Sequence, residues 1–215
     1  MNILTESYPE ALRYWPSDGQ HILAHQAAGQ LVVYQAYKPA IADFAVQNQC
    51  LGGADFSYGR MSWIKPNFLW MMYRCGWASK ESQERVLALW IDRTAFEEIL
   101  EQAVFSTFTA GNYASAEAWK QDLATKPVRL QWDPDHDPYG GKMPRRAIQL
   151  GLKGEMLEKF GKQQVTLIED VTDFVRQQKM LVENRQLERL LIPQERVYTL
   201  SDEALSQKIG IAALS

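Results

Sequence analysis

The chain has 215 residues, 46% of them apolar and 23% charged, with thirteen Gly, nine Pro and seven Trp. That composition supports one sizeable core and excludes the disordered, collagenous and coiled-coil classes. Twenty-three Lys and Arg stand against 26 Asp and Glu, a formal charge of -3, so the basic footprint of a nucleic-acid coat is missing and any basic site is local.

At the start of the chain, Met1 to Glu10 carry acid where a secretory signal carries base, and no apolar stretch of signal length follows. Residues 1–29 read as an N-terminal extension packed on a domain spanning 30–200, with 201–215 as a C-terminal tail. His21 and His25 stand four apart and would share one face of a helix. No acidic or Cys partner accompanies them, so packing or solvation suits them better than zinc.

The first clear strand is Leu31–Tyr37, dense in β-branched and aromatic residues and stopped by Pro39. Pro39 then opens a helix with Ile41, Phe44 and Ala45 at helical spacing, closed by Gly52 and Gly53. A second strand, Arg60–Lys65, stops at Pro66, which starts a helix running to Cys75 before Gly76. That helix is apolar almost all round, with only Asn67 and Arg74 polar. It is expected to be buried, leaving Arg74 in need of a carboxylate or an anionic ligand. Its run Phe68 to Met72 falls far short of the ~20 residues that cross a bilayer.

A third strand, Arg85–Ile91, precedes a helix with Phe96, Ile99, Leu100 and Ala103 on one face. Residues 106–126 read as a long loop with a helical turn over 116–123. Strands are expected at Val128–Trp132 and Arg146–Gly151 around an Asp/Pro/Gly-rich turn, then a short helix Glu155–Phe160 and a strand Val165–Ile168. Thr172 with Asp173 caps a charged helical region that Pro193 ends. Strands and helices alternate at first and strands then dominate, which predicts a single α+β domain rather than a doubly wound parallel sheet. No Gly-x-Gly-x-x-Gly or Walker-type glycine loop follows a strand. Cys50 and Cys75 form no Cys-x-x-Cys pair, the usage of a reducing cytoplasm, so a cytoplasmic chain with no membrane partner is expected.

The densest candidate site is Arg60-Met-Ser-Trp-Ile-Lys65, leading to Arg74. Alternation puts Arg60, Ser62 and Ile64 on one face and Met61, Trp63 and Lys65 on the other. Two cations, a hydroxyl and an indole suit a half-buried strand whose charged ends reach water. They also suit a cleft for an anionic aromatic ligand such as a nucleotide. A second cluster, Gln131-Trp-Asp-Pro-Asp-His-Asp137, runs into Gly140-Gly-Lys-Met-Pro-Arg-Arg146. Consecutive Asp in a Pro-containing turn more often cap their own backbone than hold a divalent ion, so no metal site is expected. With three His in the chain, no Ser/His/Asp or Cys/His nucleophile set stands out.

Residues 33–42, 60–77, 83–88, 128–134 and 146–152 closely resemble domain of unknown function family 4291, over roughly residues 30–200. That family is remotely similar to the ADP-ribosyltransferase superfamily, whose members cleave the nicotinamide–ribose bond of NAD and pass ADP-ribose to a protein, nucleic-acid or small acceptor. The resemblance implies an ADP-ribosyltransferase-like fold of split mixed and antiparallel sheets with flanking helices. It also implies a dinucleotide ligand, NAD as substrate, and transfer or hydrolysis as the outcome.

In the arginine/serine/glutamate class of that superfamily, a first strand ends in a ligand-holding residue and a Ser-bearing strand precedes a helix. A hydrophobic strand comes next, and a later strand carries Gln or Glu two positions before the catalytic Glu. Carried onto this sequence, the first strand supplies Gln35, with Tyr34 and Tyr37 beside it, where the class has Arg or His. Ser62 is the class serine, Arg85–Ile91 the hydrophobic strand, and Gln131-Trp-Asp133 stands for Gln-x-Glu with the acid one methylene shorter. The implied roles follow. Asp133 stabilises the positive charge that grows on the ribose as nicotinamide leaves, through the ribose 2′-hydroxyl. Arg60, Lys65 and Arg74 take the diphosphate, Ser62 and Gln35 contact ribose, and Tyr37 or Trp63 stacks on nicotinamide. The alternative is the same cleft holding a nucleotide or a nucleic-acid end without breaking a bond.

Overall fold

Leu31–Tyr34 and Val86–Ile91 are apolar at every position, a pattern that needs cover on both faces of a strand. The computed structural model, which describes residues 1–108 and 112–212, provides it. The first half of the chain forms β1 (Thr5–Ser7), α1 (Tyr8–Ala11), β2 (Leu23–Ala27), β3 (Gln30–Tyr37), α2 (Pro39–Asn48), β4 (Ser62–Ile64), α3 (Phe68–Cys75), β5 (Arg85–Asp92) and α4 (Arg93–Glu101). The second half forms β6 (Ala103–Phe105), α5 (Ala116–Thr125), β7 (Val128–His136), β8 (Lys142–Leu152) and α6 (Gly154–Lys159), then a π-helical turn, Phe160–Gln164. It closes with β9 (Val165–Asp170), α7 (Thr172–Glu183), β10 (Leu191–Pro193), β11 (Glu195–Val197) and α8 (Glu203–Ile209).

The strands make a five-stranded sheet in the order β11-β2-β3-β5-β9, a four-stranded sheet β4-β8-β7-β6 and a two-stranded sheet β1-β10. Pairing is antiparallel except between β6 and β7, and the whole is one mixed α+β domain. Leu31, Val33, Leu87, Leu89 and Ile91 enter a core shared with α2, α4, α8 and the inner face of the four-stranded sheet. Val32, Tyr34, Val86, Ala88 and Trp90 enter a second core with α1, α3 and α7. Each fully buried Val, Leu or Ile among them contributes about 1.5–3 kcal/mol.

The two larger sheets meet where Tyr34 N–H donates to Lys65 O at 2.7 Å and Lys65 N–H donates to Tyr34 O at 3.3 Å. Beyond this bridge β3 pairs with β5 and β4 with β8, so the sheets part as a wedge that opens toward Gln35 and Tyr37. No helix among the described residues is long and apolar enough to cross a membrane.

Several boundaries differ from expectation for local reasons. Arg60 and Met61 lie outside β4. Pro66 precedes the cap of α3 instead of entering its first turn, because Asn67 accepts from Trp70 N–H at 2.7 Å. Gly76, left-handed at φ 59°, ends that helix. Arg74 is not buried: it lies on the solvent side of α3 and donates to Gln83 Oε1 at 3.2 Å. Ala103 begins β6 rather than extending α4. Thr172 does not cap α7, since its hydroxyl accepts from Val86 N–H at 2.9 Å, and α7 ends at Glu183, well before Pro193. His25 sits on β2, not on a helix, with Nδ1 3.0 Å from Gln194 O and its ring edge-on to Trp90. Residues 1–29 include β2, which lies inside the five-stranded sheet, and α8 occupies much of the C-terminal stretch. Residues 109–111 of the expected loop and 213–215 of the expected tail lie outside the described residues.

The N-terminus of α3 receives an acceptor from another element. Glu195 of β11 is buried, and its Oε1 accepts from Phe68 N–H at 2.7 Å. Burial pushes this carboxyl well above its ordinary value of 4.5. The native state therefore holds the proton more tightly than the unfolded chain, and the group's contribution is full below 4.5 and lost as pH rises. Glu195→Gln keeps the acceptor and removes the titration. Its urea midpoint is expected to gain on that of the wild type progressively above about pH 4.5, and a pH-independent gap refutes the account.

Candidate functional site

Alternation along β3 sends Gln35 and Tyr37 to the side of Leu31 and Val33, and alternation along β4 sends Ser62 to the side of Ile64. All three therefore face the wedge. Gln35 Nε2 donates to Ser62 Oγ at 2.7 Å, Tyr37 OH donates to Gln35 Oε1 at 2.7 Å, and Tyr37 OH lies 3.0 Å from Ser62 Oγ. Gln35 Nε2 also reaches Trp63 O at 3.4 Å. Burial raises the Tyr37 hydroxyl pKa, so at neutral pH the trio is an uncharged network of donors and acceptors.

On the four-stranded sheet, Gln131 of β7 sits directly opposite Gln149 of β8, and Asp133 shares its face two residues on. Gln149 Nε2 donates to Gln131 Oε1 at 2.7 Å and to Asp133 Oδ2 at 2.6 Å. One amide thus ties both polar residues of the Gln-x-Asp motif. Desolvation raises the Asp133 pKa, opposed by the Gln149 bond and by the charges of Lys65, Arg146 and His136.

Lys65 is 3% exposed. Its Nζ lies 3.4 Å from Trp63 O and 5.3 Å from the centre of the Trp70 ring. Desolvation brings its pKa down to about 7, with Arg74 acting the same way and Asp133 opposing. Trp63 crowds Gly151 of β8, where a Cβ would meet the indole Cε2 at 2.9 Å. Only a glycine lets the ring approach that strand so closely.

These groups open onto a cleft of about 520 Å³. Of the residues expected in the site, Gln35, Tyr37, Arg60, Ser62, Trp63, Lys65, Arg74 and Gln131 line it, joined by Trp70, Gln83 and Gln149. A neighbouring cavity of about 390 Å³ shares Tyr37, Arg60 and Ser62 and extends along Ile41 and Phe56. Two expected residues are elsewhere. Tyr34 points to the opposite face of β3, fully buried and edge-on to Phe68 at 5.5 Å, because adjacent strand residues face opposite ways. Asp133 lines an adjoining cavity of about 260 Å³ with Gln20, Ser106 and Thr107, and Gln131 borders both spaces.

The rest of the acidic cluster has structural partners. Asp135 pairs with Arg145 at 2.5 Å, Asp137 Oδ1 accepts from Tyr139 and Gly141 N–H at 2.8 Å each, and His136 stacks on Tyr73 at 3.6 Å. Gln149 escaped the sequence reading. Its signal was a single polar residue inside Ala147-Ile-Gln-Leu150, two residues from the glycine under Trp63.

Comparison with known proteins matches residues 21–198 to the family model described as Domain of unknown function (DUF4291). The chain belongs to this family. The DUF4291 match begins just before β2 and ends one residue after β11, so it takes in both larger sheets and the whole lining of the cleft. No curated protein matches the chain.

Proposed function

We propose that the cleft binds NAD and that this domain transfers its ADP-ribose to a protein, nucleic-acid or small acceptor, or hydrolyses the NAD, with an ADP-ribosyltransferase-like arrangement of its split sheets. The observation that carries the reading is the convergence of Gln35, Tyr37 and Ser62, from two different sheets, in a cleft that also receives Lys65, Arg60 and Arg74. Gln35 and Ser62 are the residues that the remote resemblance to the ADP-ribosyltransferase superfamily implies for the ligand-holding and serine positions. The exposed guanidinium groups of Arg60 and Arg74 meet the diphosphate through charge-assisted bonds, with Lys65 beneath them. Ser62 and Gln35 bind ribose hydroxyls, and the ring of Trp63 or Tyr37 covers nicotinamide. Asp133 exchanges its Gln149 bond for the ribose 2′-hydroxyl and stabilises the positive charge left as nicotinamide departs.

A second reading, binding of a nucleotide or nucleic-acid end without bond cleavage, is favoured by one observation. The Asp133 carboxylate is engaged by Gln149 and lines the adjoining cavity rather than the cleft.

Calorimetric titration with NAD tests the binding step that both readings share. The wild type is expected to bind, and Arg60→Ala and Arg74→Ala each to weaken binding about tenfold at low salt, the loss of one charge-assisted contact. The effect shrinks as salt rises. No heat with NAD, or unchanged heat in both variants, overturns the proposal.

A further inference from the structure

The most deeply sunk charged group of the cleft is a primary amine. Lys65 lines the cleft while being 3% exposed. Its Nζ has one long contact to a carbonyl, Trp63 O at 3.4 Å, and the face of Trp70 at 5.3 Å. The lysine ion pairs among the described residues belong to Lys38, Lys159, Lys162 and Lys179, and Lys65 has none. A buried ammonium without a counter-ion is strongly unfavourable, and a group so placed sheds its proton instead. Arg74 adds like-charge repulsion, while Asp133 pulls the other way. The balance leaves the amine with a pKa of about 7. Desolvation and a neighbouring cation are the two means by which proteins make a lysine nucleophilic.

We propose that Lys65 Nζ is a nucleophilic amine that forms an imine with the carbonyl of a phosphorylated aldehyde or ketone, whose phosphate Arg60 and Arg74 hold at the mouth of the cleft. The amine lone pair attacks the carbonyl carbon and forms the C–N bond, and the carbonyl π pair moves to oxygen. Both amine protons go to that oxygen, which leaves as water, and the nitrogen pair closes the C=N bond. The step needs no oxidant, reductant or metal. An open-chain ribose that carries a phosphate presents the required pair of groups.

This inference does not rest on the NAD reading, which NAD titration reports separately. The test treats the full chain with equimolar pyridoxal 5′-phosphate at about pH 7, reduces with borohydride and maps the modified peptides by mass. An amine near pH 7 in its titration is about half neutral, whereas an ordinary lysine there is under about 0.1% neutral. Lys65 is therefore expected to carry at least about ten times more adduct than any other lysine. Pyridoxal, which lacks the phosphate, is expected to give at least about tenfold less at Lys65. Lys65→Met, which removes the amine and leaves an apolar side chain of similar length, is expected to fold and to lose the preferred adduct. Modification spread over other lysines with Lys65 untouched, or equal modification of Lys65 by pyridoxal, overturns the proposal, and the wild-type peptide map decides this without relying on the variant.

Discussion

Arg145→Met is expected to destabilise the protein by about 3–5 kcal/mol, the usual cost of removing one partner from a buried ion pair. Arg145 is 3% exposed and Asp135 fully buried. The guanidinium donates to Asp135 Oδ2 from Nε at 2.8 Å and from Nη2 at 2.5 Å, and to Pro16 O from Nη1 at 2.6 Å. It also lies 5.0 Å from the centre of the Trp15 ring, so it fastens the N-terminal segment to β8. Without it, a carboxylate already raised by burial loses the charge that most opposes that rise. Asp135 must then take up a proton in order to stay inside. Its folded-state pKa climbs further above the ordinary 3.8, so the penalty is smallest near that pH and grows as pH rises. Urea midpoints across pH read this directly. Adding Asp135→Asn to Arg145→Met is expected to restore much of the loss, because the stranded charge has gone. A single-variant loss under about 1 kcal/mol, or no recovery in the double variant, contradicts the account.

If the domain cleaves NAD as proposed, Asp133→Asn is expected to lower nicotinamide release by about 10²–10³-fold, the magnitude seen when one group that stabilises developing charge is removed. The amide keeps the shape of the carboxylate and an oxygen to accept from Gln149, so folding and ground-state affinity are retained. NAD affinity within about threefold of the wild type alongside the slower release marks a group that acts in the transition state. Wild-type protein that binds NAD and releases no nicotinamide selects the non-cleaving reading instead. Equal release by the variant and the wild type removes Asp133 from the chemistry.

The parts of the fold and site that were legible share one property: their signal lies within a short stretch of chain. The β3 and β5 runs, the Pro39 helix start, and the shared facing of Ser62 with Ile64 all follow from period-two or helical spacing. What failed was decided across the chain. Tyr34 and Gln35 are neighbours in sequence, yet only the placement of both sheets tells which one faces the wedge. Arg74 was expected inside because its helix is apolar, whereas Lys65 at a strand end was the cation that became buried. Gln149 gains its role only when β8 comes into register with Gln131. β1, β10 and β11 are three residues each, too short for a periodic pattern, and they exist because distant partners complete their hydrogen bonds.

The backbones of Gln35 and Ser62 pair outward, with Leu87 of β5 and Leu152 of β8, while their side chains project into the opening between the sheets. On the proposed function, ligand preference and folding are thereby assigned to different atoms of the same residues. On that reading, substitutions that keep volume modest at these positions redirect what the cleft accepts while both ladders persist.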